Sequence, residues 1–225
     1  MTMSSAVAAT FERLLAVGRR EFLTTTVDEI LCSSAGLARQ QDWPLASLAA
    51  LADGLSLSTE YVFFAQPVHL QLQRDSFTIA GPEALSLQKA EADSLLALLN
   101  EHFAEQGLKF VQSPHCADRW YLQLQTPPHI QTTPVDVAVG RDIRSLLPHG
   151  QDAAFWNAFL NEVQMLLFEH PLNQAREARG ALPVSGVWVY GGGVLPAKSP
   201  RVLPLLFAED AVARGLATLQ AGECH

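Results

Sequence analysis

Between His170 and Gly193 the chain reads HPLNQAREARGALPVSGVWVYGGG, and few folds accommodate such a run. Pro171 ends or bends a preceding helix, because its ring clashes with the carbonyl four residues back. Asn173 is placed to cap NQAREARG, a polar helical segment that Gly180 terminates. Gly186 to Tyr190 has the length and β-branched character of a buried strand. Three glycines follow directly. They either let backbone or ligand approach closely or make a flexible turn, and the turn is the expectation. A P-loop is excluded, since no Lys-Ser or Lys-Thr follows at the required spacing.

Upstream, two hydrophobic periods succeed one another. From about residue 5 to 54 the spacing is helical. Phe11, Leu14, Leu15 and Gly18 share one face. Thr26 or Asp28 is placed to cap a helix whose Ile30, Leu31 and Leu37 face the core, and Trp43-Pro44 precedes a Pro-started helix ending at Gly54. At Tyr61 the period becomes two. In YVFFAQPVHLQLQRDSFTIAG, Val68, Leu70 and Leu72 alternate with His69, Gln71 and Gln73, and the break at Arg74-Asp75-Ser76 predicts a hairpin with FTIA.

SLQKAEADSLLALLNEHFAEQG predicts a helix with Leu87, Ala92, Leu95, Leu96, Leu99 and Phe103 in one stripe and Gly107 at its end. Strands KFVQ and RWYLQLQ follow, joined by a turn at HCAD. TPPHIQTTP, residues 126–134, is too proline-rich for a central strand and reads as a loop and internal boundary. A helix from about Asp152 to Glu169 is predicted to bury Phe155, Phe159, Val163 and Leu166 or Leu167, leaving Asn157, Asn161, Gln164 and Glu169 off the stripe. The tail predicts a strand over residues 202–210 and a short helix in AVARGLATL. The sum is an α+β chain. An N-terminal helical layer, residues 1–58, joins a mixed, mainly antiparallel sheet over residues 59–225 with helices on one face, as two units or one continuous domain.

Composition excludes some partners. The formal net charge is -8, with no basic run, which argues against nucleic acid, whose phosphates are bound by Lys and Arg. Cys32, Cys116 and Cys224 are far apart and form no CxxC, as expected of reduced thiols in a cytoplasmic protein. The N-terminus does not read as a signal peptide, and no apolar run approaches the roughly 20 residues that span a bilayer. A membrane partner is not expected.

His170-Pro171-Leu172-Asn173, Arg176, Gly180, Pro183, Trp188, Gly191 and Gly193 together resemble a motif of the archaeal-type, cofactor-independent phosphoglycerate mutases. There a His-Pro-x-Asn, an Arg and a Gly-x-x-Pro precede a Trp-containing strand ending in Gly-x-Gly. Two positions depart from it: Ser185 or Gly186 stands where the mutases have Asn, and Tyr190 occupies the second Trp-like position. Other segments, among them ARQQDWPLASLAALADG, PVHLQLQRD, Arg119-Trp120-Tyr121, Gly140-Arg141-Asp142 and LNEVQMLLFEHPLN, resemble a bacterial family of RpfE-type regulatory proteins over about Leu31 to Leu216. In the mutases a metal-binding domain carries the nucleophile and two divalent ions, and an inserted cap helps bind substrate. The matching segment resembles cap sequence. The early Asp with Ser or Thr, and the late Asp and His ligands, are not found here. The resemblance therefore implies no catalytic residue, metal or cofactor in this chain.

Asn161, His170, Asn173 and Arg176, with Arg119 or Arg141, are the candidate ligand-binding residues. Arg offers a planar fork suited to phosphate or carboxylate, and a helix starting near Asn173 offers unpaired N–H groups. The competing reading is that Asn173 only caps, His170 holds the helix end and Arg176 pairs with a carboxylate. Gly140-Arg141-Asp142 reads as a local turn with an ion pair, or else Arg141 clamps an anion. His69 is expected to be a hydrogen-bonded histidine, and Trp43, Trp120, Trp156 and Trp188 to be core. The expected function is a regulatory or small-anion-binding protein resembling a mutase cap without its metal site. The alternatives are a phosphoryl-transfer enzyme acting on a small phosphorylated substrate, and a protein-interaction scaffold, whose sign would be an exposed apolar patch.

Overall fold

Along β1, Tyr61–Val68, alternate residues enter different cores. Tyr61, Phe63 and Ala65 join one buried cluster, while Val62 and Phe64 join another. A strand's side chains alternate between faces, so a strand apolar on both must be covered on both. β1 is therefore an interior strand. It pairs antiparallel with β5 (Trp120–Leu124) and β8 (Gly186–Val194), and β5 pairs with β4 (Lys109–Gln112), giving a four-stranded sheet in the order β4-β5-β1-β8. The computed structural model describes residues 13, 16–17, 25–56, 60–73, 76–81, 84–203 and 209–221. The expected face of Phe11, Leu14, Leu15 and Gly18, and most of the strand expected at 202–210, lie outside those residues.

One face of the sheet is covered by α3 (Lys89–His102) and α5 (Ala153–Glu169), whose Leu95, Leu99, Trp156, Phe159 and Val163 pack with Phe63 and Trp120. The other is covered by α2 (Leu45–Ala52) and α7 (Ala211–Ala221), with α1 (Val27–Ser34) behind them. Helices thus lie on both faces, not on one. Each buried Leu, Val or Phe contributes about 1.5–3 kcal/mol, so both layers are integral to stability. No helix among the described residues is long and apolar enough to cross a membrane.

Local signals explain most element ends. Thr26 and Glu29 form a reciprocal capping box at the start of α1, and Gln88 and Glu91 do the same for α3. Gly107 closes the single 3-10 turn after α3 in a left-handed conformation, φ 69°. The expected hairpin forms from β2 (Leu70–Gln73) and β3 (Ser76–Ile79), as a two-stranded sheet of its own. Other expectations need correction. The loop at residues 126–134 contains a short strand, β6 (Ile130–Gln131), paired with β7 (His149–Gly150), followed by the four-residue α4 (Val135–Ala138). Phe159, Val163 and Leu167 are buried as expected, but Phe155 is half exposed and Trp156, beside it, takes the core position at the first turn of α5.

The glycine triplet lies inside β8, not in a turn after it. A Cβ on Gly192 would sit 2.2 Å from Cε1 of Phe63, and one on Gly193 would sit 2.7 Å from Cβ of Pro44. The triplet lets the start of α2 and the aromatic rings of β1 lie directly against the strand.

Candidate functional site

The six candidate residues are dispersed. His170 caps α6 (Pro171–Ala178), its Nδ1 accepting from the Leu172 N–H at 3.1 Å, so the cap is His170 and not Asn173. Asn173 is buried one turn further in. Its Nδ2 donates to the carbonyls of Leu167 and Val184, and its Oδ1 accepts from the Val184 N–H, tying α5, α6 and the approach to β8 together. Arg176 has 1% of its surface exposed. Its Nε donates to the Leu182 carbonyl at 2.8 Å, its Nη1 to Glu91 at 2.6 Å and its Nη2 to the Leu85 carbonyl. Arg179 reaches the other oxygen of Glu91. Burial opposes ionisation of Glu91, but the Gln88 N–H, Arg179 and Arg176 outweigh it and hold the carboxyl below its ordinary value.

Arg119 belongs to a different place. Its Nη1 donates to Asp53 at 3.0 Å, and the Tyr121 hydroxyl donates to the other Asp53 oxygen at 2.7 Å. Burial, then the bond to Asp53, push the Tyr121 hydroxyl well above its ordinary value. Arg141 is exposed after the left-handed Gly140, and the ion pair of that turn is Asp142–Arg144 rather than Arg141–Asp142. His69 is hydrogen-bonded to the Pro183 carbonyl at 2.9 Å. Among the described residues, no three His, Cys, Asp or Glu side chains are grouped to hold a metal ion.

Asn161 opens onto a cleft with several converging polar groups; Asn173 also borders a hollow, with Glu169, Gln174 and Glu177, but its amide is spent on the backbone of Leu167 and Val184. Asn161 lies on the outer face of α5 with Asn157 and Gln164, at the i, i+4, i+7 spacing that aligns side chains on a helix. Opposite runs the apolar side of the hairpin, where Leu72 pairs with Phe77 and Leu70 with Ile79. Between them lies a cavity of about 270 Å³, lined also by Arg144 and Leu160, with the amide oxygen of Asn157 buried and without a partner. It continues into a second hollow of about 410 Å³ at Met165, Phe168 and Ser185. Leu72 is 73% exposed, Phe77 45%, Met165 71% and Phe168 81%. A larger cleft beside Asn100 and Lys109 has less to offer, because Asn100 is spent on both backbone groups of Phe110.

The groove was half legible in the sequence. Asn157, Asn161 and Gln164 fall off the buried stripe of α5, and Leu70 and Leu72 share one side of β2. The signal missed was Met165 and Phe168, two large apolar residues on the same helix outside that stripe.

A family profile described as 2,3-bisphosphoglycerate-independent phosphoglycerate mutase matches residues 46–173. The protein of that name from Methanosarcina mazei is 23% identical over 151 residues, 67% of this chain and 37% of that protein. The one from Methanothrix thermoacetophila is 35% identical over 71 residues, 32% of this chain and 16% of that protein. The solved structure of the cofactor-independent phosphoglycerate mutase from Thermoplasma acidophilum overlays with a TM-score of 0.48 at 20% identity, covering 77% of this chain and 48% of that one. The chain thus spans well under half the length of the curated relatives it matches. With more than half of its residues inside the profile, the chain belongs to the 2,3-bisphosphoglycerate-independent phosphoglycerate mutase family.

Proposed function

We propose that the chain is a regulatory binding module that recognises a polypeptide through the groove along α5. The observation that carries this is the exposure of Leu72, Phe77, Met165 and Phe168 on one face. Folded monomers rarely leave large apolar side chains contiguous in water, because each forfeits its transfer free energy there; such patches mark interaction surfaces. Phe168 is the test residue. In the cell of origin, a tagged full chain is expected to retain a stoichiometric polypeptide, identified by mass, that the Phe168→Asp variant loses at unchanged melting temperature. Equal recovery with both chains refutes the reading.

A second reading follows from Arg144 and the amides in the smaller cavity, together with the relatives' name: the cleft takes a small phosphorylated acid. A guanidinium beside amide donors suits a phosphate or carboxylate, although Asp142 already engages Arg144. Thermal shift with 2- or 3-phosphoglycerate, with and without magnesium, tests it. A ligand at 100 times its dissociation constant stabilises the fold by about 2.7 kcal/mol, and no shift for either acid excludes this reading.

A further inference from the structure

We propose that the larger cleft, beside Asn100 and Lys109, binds a free α-amino acid with an amide side chain, glutamine or asparagine. Asn100 is spent there on Phe110, but Gln123 is not. Gln123 lies on β5, the strand between β4 and β1, and 6% of its surface is exposed. Buried Asp42, Asp53, Asn173 and Arg176 all have hydrogen-bond partners. The Gln123 amide has none among the described residues, and it lines a cavity of about 520 Å³. Burial takes its donor and its acceptor out of bulk water, so their partners come from the cavity. That volume lies within the range of about 300–1,000 Å³ common for small-molecule sites.

Two charges of opposite sign share the wall of this cavity, Glu60 and Lys109. The strand register sets Lys109 directly opposite Gln123 on one side and Val62 opposite it on the other, two residues beyond Glu60. Neighbouring strands lie about 4.8 Å apart and rise about 3.4 Å per residue, so the backbones of Glu60 and Lys109 are about 12 Å apart. Among the described residues neither side chain forms an ion pair, with the other or with a third group. An unpaired anion and an unpaired cation thus flank a buried, unpartnered amide.

That arrangement matches the chemistry of a zwitterion. The ligand's ammonium meets Glu60, its carboxylate meets Lys109, and its side-chain amide both donates to and accepts from the amide of Gln123. Other ligand classes leave something unmet. A phosphate would face Glu60 with one lysine to hold it, and a simple amine or a simple acid would leave Lys109 or Glu60 without a partner. A nucleobase would find no aromatic side chain along the cavity to stack on, and a divalent cation would find a single carboxylate. The cavity shares no lining residue with the α5 groove, so the two readings stand or fall separately.

Titration of the full chain, followed in proton–nitrogen NMR spectra, tests the inference with three compounds: glutamine, glutaramate, which lacks the ammonium, and γ-aminobutyramide, which lacks the carboxylate. Glutamine is expected to bind with a dissociation constant of about 100 µM or below and to move the side-chain NH2 signal of Gln123, identified by its loss in Gln123→Met. Lys109→Gln is expected to weaken glutamine and glutaramate about tenfold and to leave γ-aminobutyramide unchanged. Glu60→Gln is expected to weaken glutamine and γ-aminobutyramide by a similar factor and to leave glutaramate unchanged. No response to glutamine or asparagine at about 10 mM, or variants that weaken all three compounds alike, would overturn the proposal. So would a Gln123→Met chain that binds glutamine as the wild type does. Gln123→Met removes the amide and keeps an unbranched side chain, so its melting temperature is expected at or above that of the wild type. A fall of more than about 4 °C would show that the amide serves the fold, and would also overturn the assignment.

Discussion

Removing the Arg176 side chain tests the central polar contact of the fold. In Arg176→Ala the fully buried guanidinium disappears, leaving the carbonyls of Leu85 and Leu182 without their donor and Glu91 with Arg179 as its remaining cation. Breaking a buried ion pair by deleting one partner costs about 3–5 kcal/mol. An orphaned buried carbonyl costs about 1–3 kcal/mol, though such terms do not simply add. Arg179 offsets part of the loss at Glu91, so the expected destabilisation is about 4 kcal/mol. Against a typical total of about 5–15 kcal/mol this is a large fraction. Urea unfolding at pH 7 measures it as a fall in midpoint at unchanged slope. The variant also has a pH signature. Because the folded-state pKa of Glu91 is depressed, its contribution is present above the unfolded value, near 4.5, and is lost as pH falls through the folded value. The gap between wild type and variant should therefore narrow below about pH 4. A loss under about 1 kcal/mol with the fold intact would refute the reasoning, and would return Arg176 to the role of a dispensable anion clamp.

Two further perturbations probe other layers. A Cβ at Gly215 would lie 1.8 Å from the Leu48 carbonyl oxygen, where backbone cannot yield, so Gly215→Ala is expected to separate α7 from α2. Despite the better helix propensity of Ala, the expected loss is about 3 kcal/mol or more, read as a lowered melting temperature; a neutral or stabilising result would contradict the close helix contact. Burial, then Asp210, Asp136 and Glu29, raise Asp28 to about 6. A carboxyl whose folded pKa is raised stabilises below its unfolded value and loses that contribution as pH climbs to about 6. Wild type should then gain stability on acidification from pH 7 to 5, by about 1 kcal/mol after solvent screening, and Asp28→Asn should flatten the profile. A flat wild-type profile over that interval would remove the basis for this account.

Several elements were decided by the sequence alone, because their signals are local. Thr26 with Glu29, Gly107 after the Leu95–Leu99 stripe, and the alternation through Leu70 and Leu72 depend on neighbours within a few residues, and each marks an element found where expected. The family resemblance was also legible, because a motif such as His170 to Gly193 is itself a string. Other features depended on contacts distant in sequence. That helices cover both faces follows from Val62 and Phe64 entering the cluster that α2 and α7 build, α2 lying on the sheet and α7 on α2, and a strand's own residues do not say what will cover them. Arg176 reads as a surface cation on a polar helix until Glu91, 85 residues away, is brought against it. The glycine triplet reads as a turn until Pro44 and Phe63 occupy the space a side chain would need. The groove is of the same kind: amides on α5 and leucines on β2 were visible separately, and tertiary structure alone set them face to face. Propensity and capping act over one or two turns of chain, whereas burial and close approach depend on which segments the whole fold leaves adjacent.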